Sequence, residues 1–439
     1  MATIETQKVQ LLRQRFSWVS NATWDQMMEY APTFLTEFAV MVSQIVVYKL
    51  AAHYLAMQGF SEYALARRTV SLIIPIPVLG LSVGLPRYIS FSNGRNDLES
   101  ADRYFGATLW CAGIAAFLCV VLINLFAGIF SYLFFGNQSY SGFAFPISLM
   151  ILGLCEHTVA CGYFRGHMEL NRANFLQLVN LALLPILVFF LAQHSLVTVL
   201  TTLGSLWILT SSLALCLTPL GAMARNSGKE IRELLSYGIQ RVPGDFFLMA
   251  LFILPATIVA HLYGVKQAGL VAFSISIVSM IGGVFAPVGL VLLPKATGML
   301  AEGAHEDLRV HLGHIIKVTL VGSVTIVFLG WIVLPSAIRI YLGVSYEQVI
   351  PIARVLLLAA LPYCLYVVVR NLVDAYHEYG VTAAILGGGL VVFLLSFFGA
   401  RQFGAGTSIH NVLVSFVLAV VVITGISSWE CCRILHPRS

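Results

Sequence analysis

Apolar runs of about twenty residues, poor in charge and long enough to cross a bilayer, recur along almost the whole chain. They lie near 33–54, 66–88, 107–134, 143–164, 173–193 and 196–220, then near 242–263, 268–294, 313–335, 349–370, 379–399 and 408–429. Hydrocarbon offers a backbone N–H no partner, so each run must close its own hydrogen bonds as a helix. Only 10% of the residues are charged and 59% are hydrophobic, where a soluble domain carries about 25% charge to wet its surface. At roughly twenty residues per span, 439 residues fill with helices and leave no room for a separate soluble domain. The 107–134 run is long enough to tilt or to leave the membrane at one end. The first thirty residues are polar and mixed and do not read as a cleavable signal. Two readings stand for them: an amphipathic surface helix with Leu11, Leu12, Phe16 and Trp18 on its apolar side, or a frayed polar terminus. Six of the eight cysteines lie in apolar stretches and no CxxC pair occurs, so disulfides are not expected.

Lysines and arginines orient the spans. With the N-terminus in the cytoplasm, fifteen fall on that side and only Lys266, Arg339 and Arg401 on the other. The sequence therefore predicts twelve spans with both termini cytoplasmic. The polar stretch 221–240 divides them into two sets of six. At an offset of 208, Ala64, Val70, Ser71, Ile73, Val83 and Pro86 recur as Ala272, Val278, Ser279, Ile281, Val291 and Pro294. Arg87 meets Lys295, and each is followed by a polar loop containing Asp-Leu. An even number of spans per half makes the repeat parallel, about an axis along the membrane normal. The expected fold is all-α integral membrane: 12 transmembrane helices in two parallel six-helix bundles around a central cavity. The segments are 1–32, an N-terminal bundle 33–220, a linker 221–241, a C-terminal bundle 242–429 and a tail 430–439. Pro75 and Pro77 with Gly80 and Gly84, and Gly282, Gly283, Pro287 and Gly289 at the repeat position, predict kinks at matched places.

Five stretches carry a family texture: LAMQGFSEYALARR, VGLPRYISFSNGRNDLESADRYFGATL, CGYFRGHMELNRANF, LLSYGIQRVPGD and LYGVKQAGLVAFS. In order and spacing, over most of 34–430, the chain resembles the multidrug/oligosaccharidyl-lipid/polysaccharide flippase superfamily. Within it the chain resembles the polysaccharide-biosynthesis branch of O-antigen (Wzx-type) flippases. Ser61 stands where that family often has Gly, and Gln240 where Pro often follows Tyr-Gly. The resemblance implies a flippase of the bacterial inner membrane. It would carry a polyprenyl-pyrophosphate-linked oligosaccharide outward by alternating access, for polysaccharide or lipopolysaccharide biosynthesis. It further implies membrane lipid as partner, coupling to H+ or Na+ in some members, and contact with the polysaccharide polymerase machinery. No cofactor, metal or nucleic acid is called for.

Charged groups inside a span cost at least about 2.5 kcal/mol each, so they normally face a cavity or a partner. A pyrophosphate needs cations, and arginine suits it because its fork donates two parallel hydrogen bonds. Arg67, Arg68, Arg241, Lys49 and Arg354 are the candidates for a basic lumen. Snorkelling to the interface competes for Arg67, Arg68 and Lys49, and mutual neutralisation competes for Arg241 and Asp245, four residues apart. Glu156 and His157 are deepest; with Glu37 and Asp245 they are the ion-coupling candidates, against the plainer reading of hydrogen bonds between helices. A multidrug-extrusion antiporter is the alternative function and would want carboxylates and aromatics in its cavity. A membrane glycosyltransferase or polymerase fits less well. The largest outer loop, 336–348, holds little beyond Arg339 and Glu347, and no nucleophile–base pair is visible.

Overall fold

The computed structural model describes residues 21–192, 195–219, 228–301, 305–377, 380–402 and 408–435. Leu11, Leu12, Phe16, Trp18 and the linker stretch 221–227 lie outside these. The described chain is helical throughout. Eleven helices are long and apolar enough to cross a membrane, and a bent pair makes a twelfth.

The first span is Asn21–Tyr54; the second is Ala56–Ile73, Pro75–Val78 and Leu81–Gly94. The third runs Leu98–Leu125, breaks at Phe126 and continues as Ala127–Phe135. The fourth is Ala144–Gly166, the fifth Leu170–Leu191 with a π-helical insert at Leu178–Leu183, and the sixth Leu196–Cys216. A linker helix, Gly228–Ile239, follows. The second half is Val242–Tyr263, Val265–Ala301, His305–Tyr341, Val349–Tyr376, Val381–Gln402 and Ile409–Leu435. Several helices outrun their apolar windows, the ninth most of all, because a helix continues into the headgroup layer where its polar end residues are wetted.

One hydrophobic core is shared by the two halves at the face opposite the linker, here the far face. It includes Phe60, Leu65, Ile147 and Leu203 from the first half and Phe252, Val271, Leu356 and Phe416 from the second. At the linker face each half has a core of its own. Leu85, Ile89, Phe105 and Leu234 belong to one, and Leu292, Leu312, Val368 and Leu372 to the other. A shared core at one end and separate cores at the other define two bundles joined at the far face, with a cleft between them toward the linker face.

The joint lies on the repeat axis. A methyl on Gly269 would come 2.1 Å from Ser61 Cα, so the second and eighth spans touch backbone to backbone there. Seven residues on, two helical turns down the same face, Arg68 Nη2 donates to Ser276 Oγ at 2.9 Å. Both pairs, 61/269 and 68/276, are separated by the repeat offset of 208. Repeat mates can meet only where their symmetry axis passes. Flanking contacts are paired about it. The first span receives hydrogen bonds from the C-terminal half, Tyr341 Oη to the Ile45 carbonyl and Tyr346 Oη to the Ala52 carbonyl. On the opposite side His261 donates to the Leu133 carbonyl at 3.0 Å, and Gly136 lies against Ala260.

The expected kinks are not matched. The second span breaks where Pro75 and Pro77 remove N–H donors, and Leu79 and Gly80 turn left-handed (φ 53° and 70°), for a bend of 41°. The eighth span stays helical through Gly282, Gly283 and Pro287. The difference sits in the linker helix, which packs on one half only. Leu234 is fully buried in the N-terminal core, Glu230 accepts from Arg103 at 2.8 Å, and Tyr104 bonds Glu233. Gly238 meets the broken turn directly: a methyl on it would lie 2.1 Å from the Leu79 carbonyl oxygen. The linker is thus mechanically part of the first half.

A Gly269→Ala substitution must push the second and eighth spans apart. Expected are a loss of stability of about 1–3 kcal/mol and a wider far face, read from thermal unfolding in detergent and from spin-label distances between the bundles. An unchanged distance distribution would contradict backbone contact at the axis.

Candidate functional site

The second span sets the roof of the cleft. Phe60, Ser61, Tyr63, Ala64 and Leu65 are fully buried in the far-face seal. Arg67 and Arg68 come next, eleven and twelve residues from the helix start at Ala56, or about 17 Å down it. Both are half-buried. Arg67 Nη1 reaches Tyr63 Oη at 3.4 Å, one turn back on its own helix. Arg68 Nη2 donates to Ser276 Oγ and to Ser279 Oγ at 3.1 Å, and its guanidinium sits 6.0 Å from the Phe252 ring centre. Tyr48 from the first span bonds the same Ser276 at 2.9 Å. Among the described residues, no carboxylate lies within ion-pair distance of either arginine. Hydroxyls and ring faces satisfy the hydrogen-bonding geometry and leave the positive charges in place.

The other basic candidates are dispersed. Lys49 is exposed near the far face, 3.4 Å from the Ile340 carbonyl and 5.9 Å from the Tyr341 ring, where it helps join the halves. Arg354 lies 4.7 Å from the ring of Trp331 on the ninth span, its Nε buried without a hydrogen-bond partner. Arg241 sits at the linker face, where the linker helix passes into the seventh span, with Tyr237 Oη accepting from its Nη1 at 3.2 Å. It does not pair with Asp245 by an ion pair. Asp245 instead faces Arg370 of the tenth span at 3.8 Å.

Glu156 and His157 diverge. Adjacent helix residues point about 100° apart, and these two serve different neighbours. Glu156 accepts from Ser212 Oγ on the sixth span at 2.9 Å. His157 is buried and lies 3.1 Å from Asn180 in the π-helical insert. Asn180 is the hub of the N-terminal half. Its amide reaches Ser211 Oγ at 3.0 Å, Thr210 donates to its Oδ1 at 2.6 Å, and Trp207 donates to its carbonyl at 2.5 Å. In the π-helical insert the Leu184 N–H bonds the Val179 carbonyl, five residues back. The next carbonyl, that of Asn180, would face Pro185, which has no N–H, and Trp207 supplies the donor. Glu37, one repeat offset from Asp245, is exposed and accepts from Gln177 at 2.8 Å; Gln177 in turn accepts from Arg165 at 2.7 Å.

The structure adds residues that sequence reasoning passed over. Ser276 is an unremarkable serine in an apolar run, yet it is the repeat mate of Arg68, which is the signal that finds it; Ser279, matched to Ser71 by the same repeat, joins it on the arginine. Arg370 and Asp374 sit within the tenth helix, one turn apart and 3.1 Å from each other.

No protein-family model matches the sequence, and no curated protein matches it. Solved structures do. One is an inward-facing conformation of a multidrug resistance MATE family transporter of the MOP superfamily. It superposes with TM-score 0.76 at 13% identity, covering 91% of this chain and 96% of that one. An outward-facing conformation described in the same words gives 0.63 at 14% identity, covering 94% and 97%. A third is a MOP superfamily transporter from Pyrococcus furiosus, described as having a binding pocket whose reverse polarity suggests a different function. It gives 0.67 at 14% identity, covering 93% and 96%. At these identities the likeness establishes the fold, which is that of MATE transporters of the MOP superfamily.

Replacing Asn180 with Ala strands His157, Ser211, Thr210 and Trp207 together. A loss of about 2–4 kcal/mol is expected, since several buried polar groups lose partners at once. Thermal unfolding of the purified variant checks it; a loss below about 1 kcal/mol would mean that the hub is not shared.

Proposed function

We propose that this chain is an alternating-access transporter whose cleft accepts an anionic amphiphile, a polyprenyl-pyrophosphate-linked oligosaccharide carried from the cytoplasmic to the outer face. The observation that carries the reading is the Arg67–Arg68 pair. It sits about 17 Å down the second span under a sealed roof, bonded to hydroxyls, with no carboxylate within ion-pair distance among the described residues. Two charges held at such depth cost several kcal/mol together. A lumen that attracts a phosphate recovers that cost each time it is filled, because arginine forks bond phosphate oxygens in pairs. On this reading the linker face is cytoplasmic, both termini lie there, the membrane is the bacterial inner membrane, and polymerase machinery takes up the glycan outside.

The second reading is a multidrug-extrusion antiporter, and the multidrug transporters among the solved structures of this fold favour it. A cavity for organic cations calls for carboxylates near its centre, whereas the roof of this cleft presents arginines. The Pyrococcus furiosus transporter of this fold, described as having a binding pocket of reverse polarity that suggests a different function, is a precedent for one fold carrying pockets of different polarity.

Complementation of a strain lacking its oligosaccharide flippase separates the two. The wild-type chain is expected to restore surface polysaccharide. Arg68→Ala should lower transport at least about tenfold, the size of a lost charge-assisted hydrogen bond, with Arg68→Lys keeping part of it. Efflux of a cationic dye by wild type, undiminished in Arg68→Ala, would support the antiporter and reject the anionic reading.

Ion coupling is assigned to Glu156, the carboxylate deepest in the N-terminal half, with His157, Glu37 and Asp245 as further candidates. Glu156→Gln keeps the hydrogen bond from Ser212 and removes the charge. Transport by that variant is expected to lose its dependence on pH or sodium while substrate binding stays within about twofold. Unchanged pH and sodium dependence would remove Glu156 from the coupling path.

A further inference from the structure

At the linker-face mouth of the C-terminal half, Arg241, Asp245, Arg370, Asp374, His377 and Thr382 line a cleft of about 60 Å³. A bound water needs about 10–15 Å³ of such volume, so the cleft has room for a phosphoryl-sized group. Its charges are held unequally. Asp374 is committed: it accepts from Thr382 Oγ1 at 2.5 Å, at the first turn of the eleventh span, and from Arg370 Nε at 3.1 Å. Asp245 is not. Its one ion pair, to Arg370 Nη2, is 3.8 Å long, and its side chain is 41% exposed. Arg241, one turn before Asp245 on the same chain, has hydroxyl and ring contacts to Tyr237 but no carboxylate within ion-pair distance among the described residues. Tyr366, fully buried one turn above Arg370, has a hydroxyl without a hydrogen-bond partner.

We propose that this mouth is a docking site for the pyrophosphate group of the substrate and that Asp245 is a placeholder for it, displaced from Arg370 when the anion arrives. The inference rests on the proposed function and deepens it. The incoming oxygens bridge Arg370 and Arg241, while Asp374 stays bound to Thr382 and keeps Arg370 oriented. The repeat shows that this is a device of one half. Asp245 has an acidic mate in Glu37, but the mates of Arg370 and Asp374 at the 208 offset are Gly162 and Gly166. Those glycines let the fourth span press against Leu85 and Ile89 of the second, and the cation beside them, Arg165, is bonded to Gln177 at 2.7 Å. The C-terminal mouth sets one loosely held carboxylate, Asp245, beside two arginines, Arg370 and Arg241.

The sign of one substitution separates a placeholder from a structural ion pair. The full chain in lipid nanodiscs is titrated with farnesyl pyrophosphate and, separately, with inorganic pyrophosphate. Asp245→Asn is expected to bind farnesyl pyrophosphate about tenfold tighter, since the competing anion is gone, and Arg370→Ala and Arg241→Ala about tenfold weaker. Arg370→Lys should fall between, and Arg339→Ala, at the far face, should match wild type. Equal affinity for inorganic pyrophosphate with the same variant order identifies the phosphates as the recognised group. Weaker binding of inorganic pyrophosphate adds a contribution from the chain, and both results support the site. Unchanged or weakened binding in Asp245→Asn, with an unfolding temperature like wild type, overturns the proposal. If Asp245→Asn unfolds early, Asp245→Ser is read by the same criterion. Loss of transport in Arg68→Ala with no effect here rejects the mouth site and leaves the proposed function standing. The expected order here with full transport in Arg68→Ala does the reverse.

Discussion

Backbone contact between the second and eighth spans at Ser61 and Gly269 is the constraint on which the rest of the architecture depends. Glycine at 269 lets two helices from different halves approach more closely than any side chain would allow. That approach lies on the repeat axis, and flanking contacts between the bundles fall on either side of it, first span with ninth and third with seventh. Two turns further down the same seam, Arg68 meets Ser276. The seam that closes the far face therefore also positions the charges at the roof of the cleft.

Asymmetry enters through the linker. A parallel repeat built from equal halves would bend both inner helices or neither. Here Gly238 backs onto the Leu79–Gly80 turn, and Ile231, Leu234 and Tyr237 extend the N-terminal core. The second span is held bent by a partner that the eighth does not have. The joint between the halves is accordingly short. It runs from Ile239, still on the linker helix, to Arg241, which caps the seventh span, and places a cation where the two rigid bodies meet.

Much of this was legible in the sequence because lipid imposes one rule on every span. Scarcity of charge and the lengths of the apolar runs are enough to place all twelve. Their ends were less legible, since a helix such as His305–Tyr341 continues past hydrocarbon on polar residues that hydropathy discards. Both the second and eighth spans carry Pro and Gly near the repeat position, but only the second is broken. There Pro75 and Pro77 have Gly283 and Phe285 as their mates at the offset, and Gly238 of the linker helix backs onto the turn. Glu156 and His157 look like a pair until the helical turn separates them. Arg370 stands at the very end of the expected tenth span, 349–370, and a helix reaching Tyr376 carries it into the bundle. The 208 offset was the most informative pattern. It joins residues in two halves that no local reading connects, Arg68 with Ser276 and Glu37 with Asp245.

What distinguishes the arginines of the roof from ordinary buried charges is the kind of partner they have. A carboxylate within 4 Å would satisfy an arginine and erase its field. A serine or tyrosine hydroxyl satisfies geometry while the net charge persists. Arg67 and Arg68 have only hydroxyls and rings, and the mouth has one carboxylate that is firmly bound and one that is loosely held. Along the cleft, then, fixed positive charge is left available at the roof and conditionally available at the mouth. A chain under no demand from an anionic ligand has a cheaper arrangement within reach, since one aspartate near Ser276 would neutralise the roof. The hydroxyl there is what supports the proposed anionic substrate.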